Sequence, residues 1–257
     1  MIADLAIASS LSLLVTRLRT KGEKMALYDR NLNNTMANQV QMAYADENAL
    51  VSFVKTTYKF FGASLLFATI GALIGFQNFT FVVEYRIGIF IAEIVALIAL
   101  FFLRTKPALN VALLFVFTFL SGVTLVPLLG YVVSRSGLGA VWQALGMTTI
   151  VFGVMSIFAL KTKKDLANMG KMLFISLIVV LVCSLLNVFL LQSSPFQVII
   201  SGACVVLFSL YVAYDTQNIV RGLYDSPVLA AVNLYLDFLN IFISLLQLIG
   251  ILGGSDE

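Results

Sequence analysis

Ala230-Ala-Val-Asn-Leu-Tyr-Leu-Asp-Phe-Leu-Asn-Ile-Phe-Ile-Ser-Leu-Leu-Gln-Leu-Ile-Gly250 decides the fold. As a helix rising 1.5 Å per residue, it crosses a hydrocarbon layer of about 30 Å. Its polar residues fall at Asn233, Asp237, Asn240, Ser244 and Gln247, in steps of 4, 3, 4 and 3. That spacing puts all five on one helical face. An ionised Asp near the middle of a bilayer costs at least about 2.5 kcal/mol, so Asp237 requires a partner or a wet cavity. The preceding apolar stretch offers the partner, in Ala213-Tyr-Asp-Thr-Gln-Asn218.

The remainder of the chain has the same character. Of its 257 residues, 60% are hydrophobic and 11% charged, and the mean hydropathy is +1.00. A soluble domain carries about 25% charged residues, so the chain reads as an all-α integral membrane protein. A net charge of +3, dispersed between apolar stretches, excludes a nucleic-acid footprint. There is no histidine, which removes His-based catalysis, His-ligated metals and His switches. Cys183 and Cys204 fall inside apolar stretches and predict no structural disulfide. No cofactor is expected.

Seven spans are predicted, at about 57–77, 84–103, 108–132, 139–160, 171–192, 196–220 and 229–250. They form one transmembrane domain over residues 51–257. Residues 1–50 are expected to be a mobile cytosolic tail, rich in Asn, Gln and Asp after Met25. Residues 1–24 read either as a surface-lying amphipathic helix or as an extension upstream of a start at Met25. The Lys and Arg residues set the orientation. Arg17, Arg19, Lys21, Lys24, Arg30, Lys55, Lys59, Arg104, Lys106, Lys161, Lys163, Lys164, Lys171 and Arg221 fall on one side, and only Arg86 and Arg135 on the other. The N-terminus is then cytosolic in a plasma (inner) membrane. Seven crossings put the C-terminus on the opposite side; re-entry of the polar last stretch is the alternative.

Asp215 and Asp237 are the leading site residues. The 221–227 connector separates them, and straight helices would place them about 9 and 15 Å from it. If they meet, one proton is shared and the pair titrates as a unit. Asn218, Asn233 and Asn240 line the same faces, and all these oxygens suit a hard cation such as Ca2+, with Asp215 and Asp237 as direct contacts. Glu93 lies in mid-span. Arg104, three turns further on at the cytosolic end, reads either as a membrane anchor or as a partner reaching the aspartates. Thr118, Ser121, Thr124, Ser176, Asn187 and Ser201 read as packing contacts between helices. Gly122, Gly146 and Gly153 are expected at close helix approaches, and Pro127 is expected to loosen the third span.

Four blocks resemble the Bax inhibitor-1 family of transmembrane proteins, in its bacterial form. They are Phe117-Thr-Phe-Leu-Ser-Gly-Val-Thr-Leu-Val-Pro-Leu-Leu129, Ser156-Ile-Phe-Ala-Leu-Lys-Thr-Lys-Lys-Asp165 with Met169-Gly170, Ala213-Tyr-Asp-Thr-Gln217, and Leu234-Tyr-Leu-Asp-Phe-Leu-Asn240. The resemblance implies six helices around a central seventh and a pH-sensitive calcium leak. It further implies a di-aspartyl sensor at Asp215 and Asp237, a latch at Arg104 and an acidic residue on the path at Glu93. The family often carries Arg where this chain has Gln247. Not an enzyme, the protein would be a channel or, alternatively, a regulator of a membrane protease or stress-survival partner using its tail. A remote third reading is an intramembrane aspartyl protease, suggested by Tyr214-Asp215. Its second Asp lacks the Gly-x-Gly-Asp context and the chain lacks a Pro-Ala-Leu motif.

Overall fold

A computed structural model describes residues 46–253, and all regular structure among them is helical. The expected tail lies outside the described residues up to Asp46. There α1 (Asp46–Gln77) begins, earlier than the predicted span. It is followed by α2 (Phe79–Glu84), α3 (Arg86–Phe102), α4 (Pro107–Thr124) and α5 (Val126–Lys161). A 3-10 turn (Ala167–Met169) leads into α6 (Gly170–Leu186), which ends in a π-helical turn (Asn187–Leu191). The last two helices are α7 (Ser194–Val220) and α8 (Pro227–Leu252).

The helix ends follow from local chemistry. Pro107, Pro195 and Pro227 sit in the first turns of α4, α7 and α8, where a missing N–H costs nothing. Ser193 and Ser226 cap α7 and α8 by accepting from the Phe196 and Val228 amides at 3.4 and 3.1 Å. Pro127 has no N–H to donate and sits in the first turn of α5, and α4 passes into α5 at Leu125, whose own amide still bonds to Ser121 O at 3.1 Å and whose carbonyl accepts from Leu129 N at 3.0 Å. Within α5, Gly137 leaves helical geometry at φ 75°, ψ 171°, a backbone region that glycine enters without steric cost.

Five helical stretches among the described residues are long and apolar enough to cross a membrane: 46–77, 107–161, 167–191, 194–220 and 227–252. The 107–161 stretch contains both the α4–α5 junction at Leu125 and the Gly137 kink. At 17 residues, α3 is shorter than these. Large apolar side chains such as Phe102, Trp142, Phe189 and Ile199 point outward, as a lipid-facing surface requires.

Half of the apolar window of α8 is buried, against 11% for 167–191. Tyr235 packs edge-on against Phe117 of α4, and Phe238 against Phe61 of α1 and Phe152 of α5. Val228, Leu229 and Val232 share a cluster with Leu100 of α3 and Leu114 of α4. In lipid the driving force for such contacts is close packing rather than escape from water. Gly71 and Gly122 show this where α1 crosses α4. A Cβ on Gly122 would lie 1.9 Å from the Ala68 carbonyl oxygen, and one on Gly71 2.1 Å from that of Phe119. Gly146 and Gly153 correct the expectation made for them, because a Cβ at either meets nothing within 4 Å.

The α5–α6 connector is tied to α7 by Gln217, which is 3% exposed. Its Oε1 accepts from the Leu166 amide at 2.7 Å and its Nε2 donates to the Lys164 carbonyl at 3.0 Å. Gln217→Ala strands both backbone groups and is expected to cost about 1–3 kcal/mol, read as a lower unfolding midpoint in detergent. Nearby, Asp165 accepts from the Ala167 amide at 3.0 Å and pairs with Arg221. The amide first, and the guanidinium second, hold its carboxyl below the usual carboxylate range. A depressed folded value means that this tie is fully present above the ordinary range and is lost as pH falls through the depressed value. Amide exchange at Ala167 is therefore expected to stay slow at neutral pH and to accelerate in acid. In Asp165→Asn that acid step should vanish.

Candidate functional site

Asp215 on α7 and Asp237 on α8 are 5% and 4% exposed. Their carboxyl groups face each other within hydrogen-bonding reach. The unequal distances from the connector do not keep them apart. Leu223 N donates to Asn218 O at 3.0 Å and Gly222 N to Ile219 O at 3.1 Å, so the chain folds back along the last turn of α7 before α8 begins. Gly222 permits this with φ 68°.

Tyr224, in that connector, completes the site. Its hydroxyl donates to Asp215 Oδ1 at 2.8 Å and accepts from Asn233 Nδ2 at 2.9 Å. Burial, and next the Asp215 charge, push ionisation of this phenol far above its ordinary range, so it remains a donor. Asp237 Oδ2 is buried without a protein partner. A carboxyl has no donor hydrogen unless it is protonated, so a bond between two carboxyls requires one proton. Tyr224→Phe leaves Asn233 Nδ2 and Asp215 Oδ1 short of a partner. It is expected to cost about 1–3 kcal/mol of stability in detergent unfolding, with Tyr214→Phe as the neighbouring control.

Beside the pair lies a cavity of about 870 Å³. Asp215, Asn218, Asn233, Asp237 and Asn240, all singled out from sequence, line it together with Tyr224. The two other site residues lie elsewhere. Glu93 is absent from this wall, to which α3 contributes Ile94 and Leu97. Arg104 does not reach the aspartate pair. Its Nη1 sits 3.1 Å from Asp225 Oδ2 in the α7–α8 connector, with the side chains 56% and 77% exposed. The physical reason is position: Arg104 follows the end of α3, and an exposed carboxylate on the facing connector is nearer than the buried ones. Such an exposed pair contributes at most about 1 kcal/mol.

No cluster of three or more His, Cys, Asp or Glu occurs among the described residues. A cation at this cavity would therefore meet two carboxyl groups plus amide and hydroxyl oxygens, a set suited to weak, exchangeable contact rather than a tight cage. Tyr224, Asp225 and Gln217 were missed by the sequence reading. The available signal for the first two was an aromatic and an acidic residue in a short connector between two polar helix faces.

The fold and site thus define an all-helical membrane protein with a buried carboxyl pair between its last two helices. The model of the family described as "Inhibitor of apoptosis-promoting Bax1" matches residues 50–254, and the chain belongs to that family. An uncharacterized protein of Helicobacter pylori strain J99 is 66% identical over 234 residues, 91% of this chain and 100% of the relative. The "Modulator of FtsH protease YccA" of Escherichia coli K12 is 33% identical over 163 residues, covering 62% of this chain and 74% of the relative. The protein named "Inner membrane protein YccA" in Escherichia coli CFT073 matches with the same figures.

Proposed function

We propose that the protein is a calcium leak path whose gate is the proton joining Asp215 to Asp237. The observation that carries this reading is two buried carboxyls in contact on the wall of a cavity lined with amide oxygens. With the proton present, the pair ties α7 to α8. Its loss puts two like charges together in a poorly solvated place and drives the helices apart. The oxygens of Asn218, Asn233 and Asn240 then accompany a divalent cation past the separated carboxylates. Arg104, released from Asp225, can serve as a counter-charge to either aspartate.

In this reading α3 and the two arms of the 107–161 stretch, before and after Gly137, each cross the membrane. Seven crossings result, with α8 at the centre, the N-terminus cytosolic, and residues 1–50 forming a cytosolic tail. The membrane is the inner (plasma) membrane, the role is conduction rather than catalysis, and no resident cofactor takes part. Calcium entry into dye-loaded vesicles, compared with protein-free vesicles across a pH series, tests it. Flux that rises with pH is expected; protein-independent flux at every pH would contradict it.

The name of the Escherichia coli K12 relative, a modulator of FtsH protease, favours a second reading, control of a membrane protease. The protein would then alter the breakdown of a protease substrate in co-reconstituted membranes, with the tail residues 25–50 as the contact. Removing those residues should abolish that effect while leaving calcium flux unchanged.

A further inference from the structure

The polar face of α8 continues past the aspartate site. Asn240 lines the large cavity, and Gln247 lines a second cavity of about 250 Å³ towards the other end of the helix. Seven residues, about 10 Å of helix, separate these two side chains on one face. Between them lies the buried Ser244.

Gln247 is the hub of a hydrogen-bonded cluster at that end. Its Oε1 accepts from Gln197 Nε2 at 3.0 Å and from Ser201 Oγ at 2.9 Å. Gln197 Nε2 also donates to Ser201 Oγ at 3.4 Å, and Gln197 Oε1 accepts from Asn187 Nδ2 at 2.9 Å. Asn187 Oδ1 accepts in turn from the Ser193 amide at 3.0 Å. The π-helical turn and the left-handed Gln192, at φ 46°, bring that amide back onto Asn187. The cluster therefore ties the end of α6, the first turns of α7 and the far part of α8 together, with Asn187 and Ser201 buried.

Two properties follow. An amide oxygen has two lone pairs, and both of those on Gln247 are engaged, so none is left for a cation. The cluster also contains no titratable side chain. From α5, Tyr131 and Arg135 come to this end, but they bond to each other, Arg135 Nη1 donating to the Tyr131 hydroxyl at 2.9 Å. Asp237 is ten residues, or about 15 Å, away along α8.

We propose that Asn187, Gln197, Ser201 and Gln247 form a second gate on the cation path, which closes the end remote from the aspartates and opens without a change of protonation. A cation passes when Gln247 sheds Gln197 and Ser201, which frees its oxygen as a ligand. The proposal rests on the calcium reading for what passes, and on the hydrogen bonds alone for the closure.

Cys204, one turn from Ser201 towards the aspartates, is a free thiol packed against the core cluster of Phe208 and Leu245. It reports on the gate in the full chain carrying Cys183→Ser, reconstituted in vesicles. A charged, membrane-impermeant methanethiosulfonate applied at the remote face should label Cys204 slowly. Gln247→Ala should speed this labelling about fivefold at the same pH, the size expected for one net hydrogen bond. It should raise calcium flux by a similar factor at every pH and keep the pH slope. Ser201→Ala leaves Gln197 on Gln247 and should act in the same direction more weakly; it decides if Gln247→Ala does not fold. Where the reference protein conducts calcium, either readout left unchanged overturns the gate, as does a gain in flux that erases the pH slope. Where it does not conduct, the calcium reading falls, and labelling alone decides whether the cluster seals this end.

Discussion

Asp237→Asn is expected to abolish the pH dependence of calcium flux in reconstituted vesicles, and Asp215→Asn to do the same. Asparagine keeps the shape of the side chain and can still hydrogen-bond its neighbour, but it has no proton to lose in this range. A gate controlled by one proton changes up to about tenfold per pH unit on the acid side of its titration, which is the limit set by linkage. Each variant should therefore flatten a slope of that order into a line nearly independent of pH. Because Asp215 and Asp237 act on one shared proton, the double variant should look like either single variant, not like the sum of two effects. Retention of the slope in both single variants would mean that some other group carries the response.

The largest effect on stability is expected where α1 crosses α4. In Gly122→Ala the new Cβ falls 1.9 Å from the Ala68 carbonyl oxygen, and in Gly71→Ala 2.1 Å from that of Phe119. Both obstacles are backbone atoms inside helices, so no rotamer change relieves the clash and the helices must separate. Overpacking costs about 1–3 kcal/mol when side chains can yield, and here the loss should reach or exceed the upper end. Gly153→Ala supplies the internal control. Its Cβ meets nothing within 4 Å, and alanine favours a helix over glycine by about 1 kcal/mol. Unfolding midpoints in detergent should fall sharply for the first two variants and stay level or rise for the third.

The sequence made much of the site legible because a transmembrane helix leaves few ways to place a polar residue. The 4-3-4-3 spacing along α8 fixed which face must turn inward. The five cavity-lining residues Asp215, Asn218, Asn233, Asp237 and Asn240 follow from that face and its counterpart on α7. What stayed hidden depends on the course of the connectors, where no periodicity operates. Tyr224 reaches the pair only because the chain after Val220 folds back along α7. Arg104 finds Asp225 rather than the buried pair, and Gln217 closes the α5–α6 connector from 51 residues away. The glycines divide for a related reason: residue type says where an approach is permitted, but only the partner helix decides whether one occurs. Thus Gly122 meets α1, while Gly146 and Gly153 meet no partner.

The separation of the Asp215 and Asp237 carboxyls, measured in bilayer-embedded protein at acidic and at alkaline pH, tests the central claim most directly. The account predicts hydrogen-bonded contact in acid and a wider, hydrated gap in alkali. The same close contact at both pH values, with calcium flux still changing between them, would contradict it.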